Sequence, residues 1–555
     1  MRKNKVFGKL RKNPTEHDLR NLFAEARGVN SELRRNTRDF SILPKNDRAL
    51  GAFLLEHGLW GVLEKLLPLA GQFYRTAGGE LLFFRKEDHR LYDVEGKAFE
   101  QYLVWMTESP EGVRRHWLPT LRARVRFEAP EVTPHFLAYN DSPDLNVIAI
   151  NTFDGYMMRR KRGGTWRWVS NGTDGVLFRT PPDFLTPWQP DFEHGGTGKD
   201  LEWLCSLGHF SDDGPLSVDD QRSLLHAWIL HLFVPALNPV HPIPLQEGVT
   251  GSGKTVSGEC IGRWLTGPEF EVVGLPSGNT AKAEETLTLA IYKRPLVVID
   301  NVDSPTPWLE DFLCRAATGV RMSRRRLYTN SEEVHFTPRA GVIITSRDPH
   351  FRREDVARRI LPIRFKEIPE EMRRTETEIR AEVEARRGSI WADVLAALAR
   401  IQDSWPTLKG TLRSTHSLAD FAVFGALLAA AHSEDNNPDE WDALMGRLDQ
   451  AQHRFTGEGD PLAELLDAAL EESKGTLHQQ PVSDLFRDLR DLAQISGWPW
   501  PYKDTRTLTR ELKGKKQTLE HALDVRIVLS NNHRGGVYHV SITKSPDGPY
   551  GPNRG

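Results

Sequence analysis

The eight residues GVTGSGKT, Gly248 to Thr255, constrain this chain more than any other stretch. They fit G-x-x-x-x-G-K-[ST], a pattern whose spacing is set by phosphate chemistry. Gly248, Gly251 and Gly253 let the backbone curl, so that the N–H groups of this loop, through Val249, Thr250 and Ser252, point at phosphate oxygens. Lys254 reaches the β- and γ-phosphates as a point charge, and the Thr255 hydroxyl is a Mg2+ ligand. A strand-like PIPLQE precedes the loop. The helical TVSGECIGRWL follows it, with Val256, Cys260, Ile261 and Trp264 at helical spacing. The positive N-terminal end of that helix faces the triphosphate. A second glycine-rich stretch, GGTGKD at 195–200, fails the same test. It ends on Asp200, and no Gly lies five residues before Gly198. It reads as a linker turn.

The segment LVVID, about 45 residues past Lys254, is a continuous apolar run that ends on Asp300. Such runs mark buried parallel strands, and ligands gather at the carboxyl ends of those strands. Asp300 is therefore expected beside the loop, holding Mg2+ directly or through water. ATPases of the AAA+ type commonly place Glu after this Asp to polarise the attacking water; here the position is Asn301. Two readings stand: Asn301 orients a water, with Asp303 as the nearest carboxylate, or Asn301 merely caps the strand and hydrolysis is slow.

A third apolar strand, AGVIITS, ends on Thr345 and Ser346, where a sensor side chain meets the γ-phosphate or the water. REDVARRILPIRF follows. An arginine supplied by a neighbouring subunit neutralises charge on a transferring phosphoryl group. Arg359 is the first choice for that role and Arg358 the second, against a salt bridge to Asp355 or Glu354. Between these strands, RRLYT and VHFTP read as a hairpin around NSEE. Arg321, Arg324, Arg325 and Arg326 there either grip a phosphate backbone or pair with acids at a subunit interface.

The alternation of strands and helices from 242 to 369 predicts an α/β core with a largely parallel sheet. Around it the 555 residues divide further: a basic helical arm over 1–50, with thirteen Lys/Arg against six Asp/Glu; a mixed α+β, β-rich region over 51–200; and a helical connector over 201–241. An all-helical lid over 370–457 follows, then a small domain over 458–545 and a disordered tail over 546–555. The net charge of −3 excludes a uniformly basic nucleic-acid coat, so such binding must be local. Three scattered cysteines form neither a disulfide framework nor a zinc pattern and fit a reducing cytoplasm. FAVFGALLAAA, 421–431, is too short to cross a bilayer, and no membrane partner is expected.

The small domain reads as three helices followed by two strands, VRIVLS and GVYHVSI, joined by NNHRGG. This is the order of a winged helix. Leu508, Leu512, Leu519 and Leu523 point inward on the third helix. Arg506, Arg510 and Lys513 share another face, extended by Lys515 and Lys516, with Arg534 in the wing. That face is expected to meet DNA.

GVTGSGKT, VVIDNVD, LCRAATGVRMSRRRLYTN and EDVARRILPIRF together resemble the ATP-binding proteins of phages and integrated elements related to superfamily 3 helicases and poxvirus-type primase-helicases. The resemblance runs from about residue 100 to the end and is densest over 242–366. It implies an AAA+-like P-loop core that uses ATP and Mg2+. It also implies assembly into a ring, a hexamer, and translocation on or unwinding of single-stranded or forked DNA during replication of a mobile element. Two positions depart from the pattern: Thr345 stands where Asn is frequent, and Asn301 follows the strand Asp. The alternative from another class is a nucleotide-gated DNA-binding switch or defence ATPase, with weak hydrolysis and no unwinding.

Overall fold

The structure, a computed structural model of the chain, describes residues 13–35, 44, 47–141, 144–182, 184–237, 239–276, 280–304, 306–319, 322–325, 333–336, 340–349, 351, 353–432, 438–457, 461–473, 475–496, 498, 500–516, 519–520, 523, 525–531 and 538–544. The chain divides into two compact units. The first takes Met1–Asp141, Asn146–Trp188 and Arg321–Thr337; the second takes Ser142–Leu145, Gln189–Val320 and Pro338–Gly555.

In the first unit, α1 (Glu16–Arg35) buries Leu19, Leu22, Phe23, Ala26, Val29 and Leu33. The helix expected in the 1–50 arm is present over this stretch, packed through its apolar side. The apolar residues recur every three or four positions, so the helix has a face to bury, and it packs against α2 (Arg48–Ala70) and α3 (Lys97–Thr107). The short α4 (Pro110–Gly112) leads through one π-helical turn into α5 (Leu118–Glu128). The predicted aromatic strands appear as an antiparallel sheet, β1 (Gly71–Arg75), β2 (Leu81–Arg85) and β3 (Arg90–Asp93). A second antiparallel sheet runs in the order β4 (Ala138–Asn140), β5 (Val147–Asn151), β6 (Tyr156–Lys161), β7 (Arg167–Ser170). GVLFRT, expected to be a strand, makes only a single bridge from Phe178 to His135.

The second unit opens with α6 (Lys199–Cys205) and α7 (Val218–His231). The latter starts at a capping box in which Ser217 and Asp220 exchange hydrogen bonds. A five-stranded sheet follows, built from β8 (Ile243–Gly248), β9 (Val273–Gly274), β10 (Leu296–Asp300), β13 (Gly341–Ser346) and β14 (Ile360–Phe365). Its order is β14-β8-β13-β10-β9, and every pairing is parallel. Leu296, Val297, Val298 and Ile299 are fully buried, as a central parallel strand requires. Helices α8 (Lys254–Thr266), α9 (Thr280–Lys293), α10 (Pro307–Thr318) and α11 (Glu354–Ala357) connect these strands, and α8 packs across β8, β13 and β10. Between β10 and β13 in sequence, β11 (Met322–Arg325) and β12 (Glu333–Phe336), which belong to the first unit, pair antiparallel from Met322↔Phe336 to Arg325↔Glu333; RRLYT beyond Arg325 lies outside the described residues.

The all-helical stretch is α12 (Glu376–Ala385), α13 (Arg387–Leu408), α14 (Ala419–His432) and α15 (Pro438–Gly457). Among the described residues no helix is long and apolar enough to cross a membrane. At the C-terminus come α16 (Pro461–Glu472), β15 (Thr476–Pro481), α17 (Val482–Ser496), α18 (Thr505–Gly514), β16 (Val525–Asn531) and β17 (Tyr538–Lys544). Strand β15, absent from the sequence reading, pairs with β17 on the side away from β16. Leu508, Leu512 and Leu519 are buried in this module's core, with Leu523 packed against it.

GGTGKD is more than a linker turn. The Asp393 carboxylate, on α13 and 1% exposed, accepts four backbone N–H groups of this loop. Gly196 and Gly198 reach Oδ1 at 2.6 and 2.9 Å; Asp200 and Leu201 reach Oδ2 at 2.8 and 3.0 Å. A glycine-rich nest of this kind favours an anion, and here the protein supplies its own.

Candidate nucleotide-binding site

The site lies where the C-terminal ends of the parallel strands meet the start of α8. Gly251 and Gly253 have φ of 80° and 83°, a region open to glycine but strained for other residues. Gly248 has no room for a side chain: a Cβ there would lie 2.6 Å from the Phe365 carbonyl oxygen. Lys254 is buried at 7% exposure, and its Nζ donates to the Val249 carbonyl at 3.3 Å. The ammonium thus lies folded inside the loop that would wrap the phosphates.

Asp300 joins three elements. Its Oδ1 accepts the Thr255 hydroxyl of α8 at 2.8 Å and the Thr345 hydroxyl of β13 at 2.6 Å. Its Oδ2 accepts Asn301 Nδ2 at 3.1 Å. Asn301 in turn donates its backbone N–H to Thr345 Oγ1 at 3.1 Å. Asn301 has a φ of 56°, in the left-handed region where Asn is among the better tolerated side chains. Thr255, Asp300, Asn301 and Thr345 therefore form one hydrogen-bonded cluster.

Asp303 is committed elsewhere. It accepts Ser346 Oγ at 3.0 Å and the Arg347 N–H at 2.6 Å. Burial opposes its charge, but these bonds and one from the Asp348 N–H outweigh that, and the carboxyl titrates below its ordinary value. A carboxylate so held is a poor proton acceptor.

Arg358 and Arg359 are not brought to this cluster. They precede β14, whose first residue pairs with Ile243 and whose last pairs with Gly248 at the phosphate loop. Five steps of strand put them about 17 Å along the sheet from their own loop. The Arg359 guanidinium donates to the Asp355 carbonyl and lies 4.0 Å from Cys314 Sγ, while its Nε is buried without a hydrogen-bond partner. Asp355 is held by Arg353 instead, at 2.6 Å, and Arg358 pairs with Glu354. The salt bridge weighed for Arg359 is thus absent among the described residues, and the one weighed for Arg358 is present.

Arg326 and Arg534 lie outside the described residues, as do the side chains of Arg324 and Arg325. On α18, Lys513 Nζ is 3.6 Å from the centre of the Tyr538 ring. Lys515 and Lys516, just beyond it, pair with Glu511 and Glu520 at 3.2 and 3.8 Å.

One part of the site is missing from the sequence reading. A cavity of about 640 Å³ opens beside Gly251–Ser257, walled by His209, Ile368, Met372 and Arg373. Its size suits a nucleotide. The His209 ring is held by the Glu367 carbonyl at 2.6 Å, and Arg373 Nε donates to the Ile368 carbonyl at 3.1 Å. Met372 is 58% exposed, an apolar side chain left uncovered at the cavity wall. In the sequence these residues come from two distant segments, and neither carries a motif.

A threonine hydroxyl beside a carboxylate, with phosphate oxygens to complete the shell, is an all-oxygen donor set of the kind Mg2+ takes. The residues present therefore fit a magnesium triphosphate.

Residues 214–446, which span this whole cluster, match the family described as "Actinomycete integrative conjugative element replication protein". This agrees with the mobile-element resemblance read from the sequence motifs. No curated protein matches the chain. Among solved structures it is similar to the apo A form of the NrS-1 C-terminal region, at 12% identity and a TM-score of 0.39, over 87% of this chain and 98% of that one. It is also similar to SCCmec type IV Cch, described as an active helicase, at 10% identity and a TM-score of 0.43, over 85% and 92%. A third likeness is to the JCV helicase, at 11% identity and a TM-score of 0.21, over 46% and 63%.

Proposed function

We propose that this chain is an ATP-dependent, helicase-like DNA motor that serves the replication of a mobile element. The observation that carries the reading is the Thr255–Asp300–Thr345 cluster at the mouth of a glycine phosphate loop. In this account Lys254 leaves the Val249 carbonyl to meet the β- and γ-phosphates. Thr255 and Asp300 would hold Mg2+, which would supply positive charge beside the phosphates. Asn301 and Thr345 orient a water in line with the γ-phosphorus; its oxygen forms the new P–O bond as the bond to the ADP oxygen breaks. The base packs against Ile368 and Met372. The core is of the AAA+ type, with α12–α15 as its lid.

Arg359 cannot serve its own loop from the far end of β14, so it serves a neighbour's. That asks for a ring, which we take to be a hexamer. The helix–strand–helix–helix–strand–strand order of the last module supports a winged helix, with Arg506 and Arg510 facing DNA. Steady-state ATP hydrolysis with and without forked DNA, together with strand separation, tests the reading. A motor shows DNA-stimulated turnover and separated strands.

A second reading has an observation of its own. Asn301 stands where a catalytic acid is usual, and Asp303 is tied down by Ser346 and Arg347. Those facts favour a nucleotide-gated DNA-binding switch. That reading expects ATP binding with slow turnover, unchanged by DNA, and no strand separation.

A further inference from the structure

The β6–β7 edge of the first unit carries a feature that the ATP site does not use. Residues 155–172 contain five Arg/Lys and no Asp/Glu, and Trp166 and Trp168 flank Arg167. Strand β7 is the outer strand of its sheet and pairs only with β6. The register sets Met158 opposite Trp168 and Tyr156 opposite Ser170, so Tyr156 and Trp168 are diagonal neighbours on one face. Their ring centres are 6.2 Å apart, and the His89 ring is 5.4 Å from Tyr156. Both rings stay exposed, at 36% and 37%. The opposite face has its packing partners already, with Met157 and Val169 set against Ala149, Val176 and Phe178. Folding therefore does not account for two exposed rings on the outer edge.

The cations of this hairpin are partly paired, and by the same register Arg159, Lys161 and Arg167 alternate to the face opposite the two rings. Arg159 meets Asp174 at 2.6 Å. Lys161, Arg162 and Arg167 have no ion pair among the described residues. Arg162 Nε and Nη2 are shielded from solvent without a hydrogen-bond partner.

We propose that this edge binds single-stranded DNA draped over β7, with bases stacking on Tyr156 and Trp168 on one face and phosphates meeting Lys161 and Arg167 around the edge. Exposed rings interleaved with cations suit unpaired strands, because only an unstacked base offers its face. The proposal rests on the reading that the protein acts on DNA, and it does not depend on ATP use.

The test is the affinity of the full chain for a labelled oligothymidylate, with and without Lys254→Ala. That variant removes the phosphate-loop cation and is expected to bind the strand like the parent, so a failure of the ATPase reading stays separate from a failure here. Tyr156→Ala and Trp168→Ala should each weaken binding on the order of tenfold. Tyr156→Phe and Trp168→Phe keep a ring and should keep affinity. Arg167→Glu should lower the salt slope by about 0.7, the loss of one phosphate contact on a single strand. Photocrosslinks from a 4-thiothymidine strand should fall on the peptide that holds Tyr156 and Trp168. Alanine variants that bind as tightly as the parent, crosslinks found only elsewhere, or equal affinity for duplex would each overturn it.

Discussion

The Thr345 hydroxyl donates to Asp300 Oδ1 at 2.6 Å, the same oxygen that takes the Thr255 hydroxyl at 2.8 Å. One carboxylate oxygen thus ties α8, which follows the glycine loop, to β13. Thr345→Val keeps the shape of a fully buried residue and removes the hydroxyl. It is expected to leave ATP affinity nearly unchanged and to lower kcat about ten- to a hundredfold. Nucleotide titration alongside turnover checks the split; equal losses in both would assign Thr345 a purely structural part.

Asn301 separates the two functional readings. Asn301→Ala removes the amide that reaches Asp300 and places Ala at a φ of 56°. The backbone strain should cost about 1–2 kcal/mol, read in a thermal melt. If Asn301 orients the attacking water, turnover falls on the order of tenfold or more while ATP still binds. Turnover that survives unchanged would leave Asn301 as a shaper of the backbone only.

Arg359 is predicted to act across a subunit boundary. Arg359→Ala should bind ATP as the parent does and lose turnover by about a thousandfold or more. Lys254→Ala should be inactive for a different reason. Mixed assemblies of the two variants should regain activity, because a ring then contains sites with an intact loop facing an intact Arg359. No regain on mixing would place the arginine's role within its own chain.

How far the sequence could be read depends on where the information sits. The glycine loop and β10 were readable because glycine conformation, a fixed motif spacing and a buried apolar run are local signals. Gly251, Gly253 and Leu296 to Ile299 behave as that reading expects. The helix at 16–35 went unrecognised as core because its many charged residues hid a regular apolar stripe through Leu19, Phe23 and Ala26. The cavity wall at His209, Ile368 and Met372 was out of reach for another reason: it joins segments about 160 residues apart, and neither carries a motif. Asp393 belongs to the same class. Nothing near it in sequence says that a loop almost 200 residues earlier will wrap its carboxylate.

That carboxylate gives a stability prediction. Asp393→Ala leaves four backbone N–H groups of the 196–201 loop without their acceptor. The cost should be about 3–5 kcal/mol, visible as a lowered denaturation midpoint. A change below about 1 kcal/mol would mean that the loop finds other acceptors.

Asp220 supplies a pH prediction. Its carboxylate caps α7 and takes Arg447 of α15 at 2.5 and 2.8 Å. Burial opposes the charge, but Arg447 and Ser217 outweigh it, so the carboxyl titrates below its ordinary value. A depressed folded-state pKa means stability that is full above the unfolded value, near 3.9, and lost as pH falls through the folded one. Thermal melts between about pH 6 and pH 3 should therefore converge for the parent and Asp220→Asn at the acid end. Parallel curves across the range would show that the pair contributes nothing to acid sensitivity.

The most direct measurement is calorimetric titration of ATP into the full chain, with and without Mg2+, beside Lys254→Ala and Asp300→Asn. The account predicts tight binding that Mg2+ strengthens in the parent, little binding in Lys254→Ala, and binding in Asp300→Asn that Mg2+ no longer strengthens. ATP that binds Lys254→Ala as well as the parent, or a magnesium effect that survives Asp300→Asn, would contradict it.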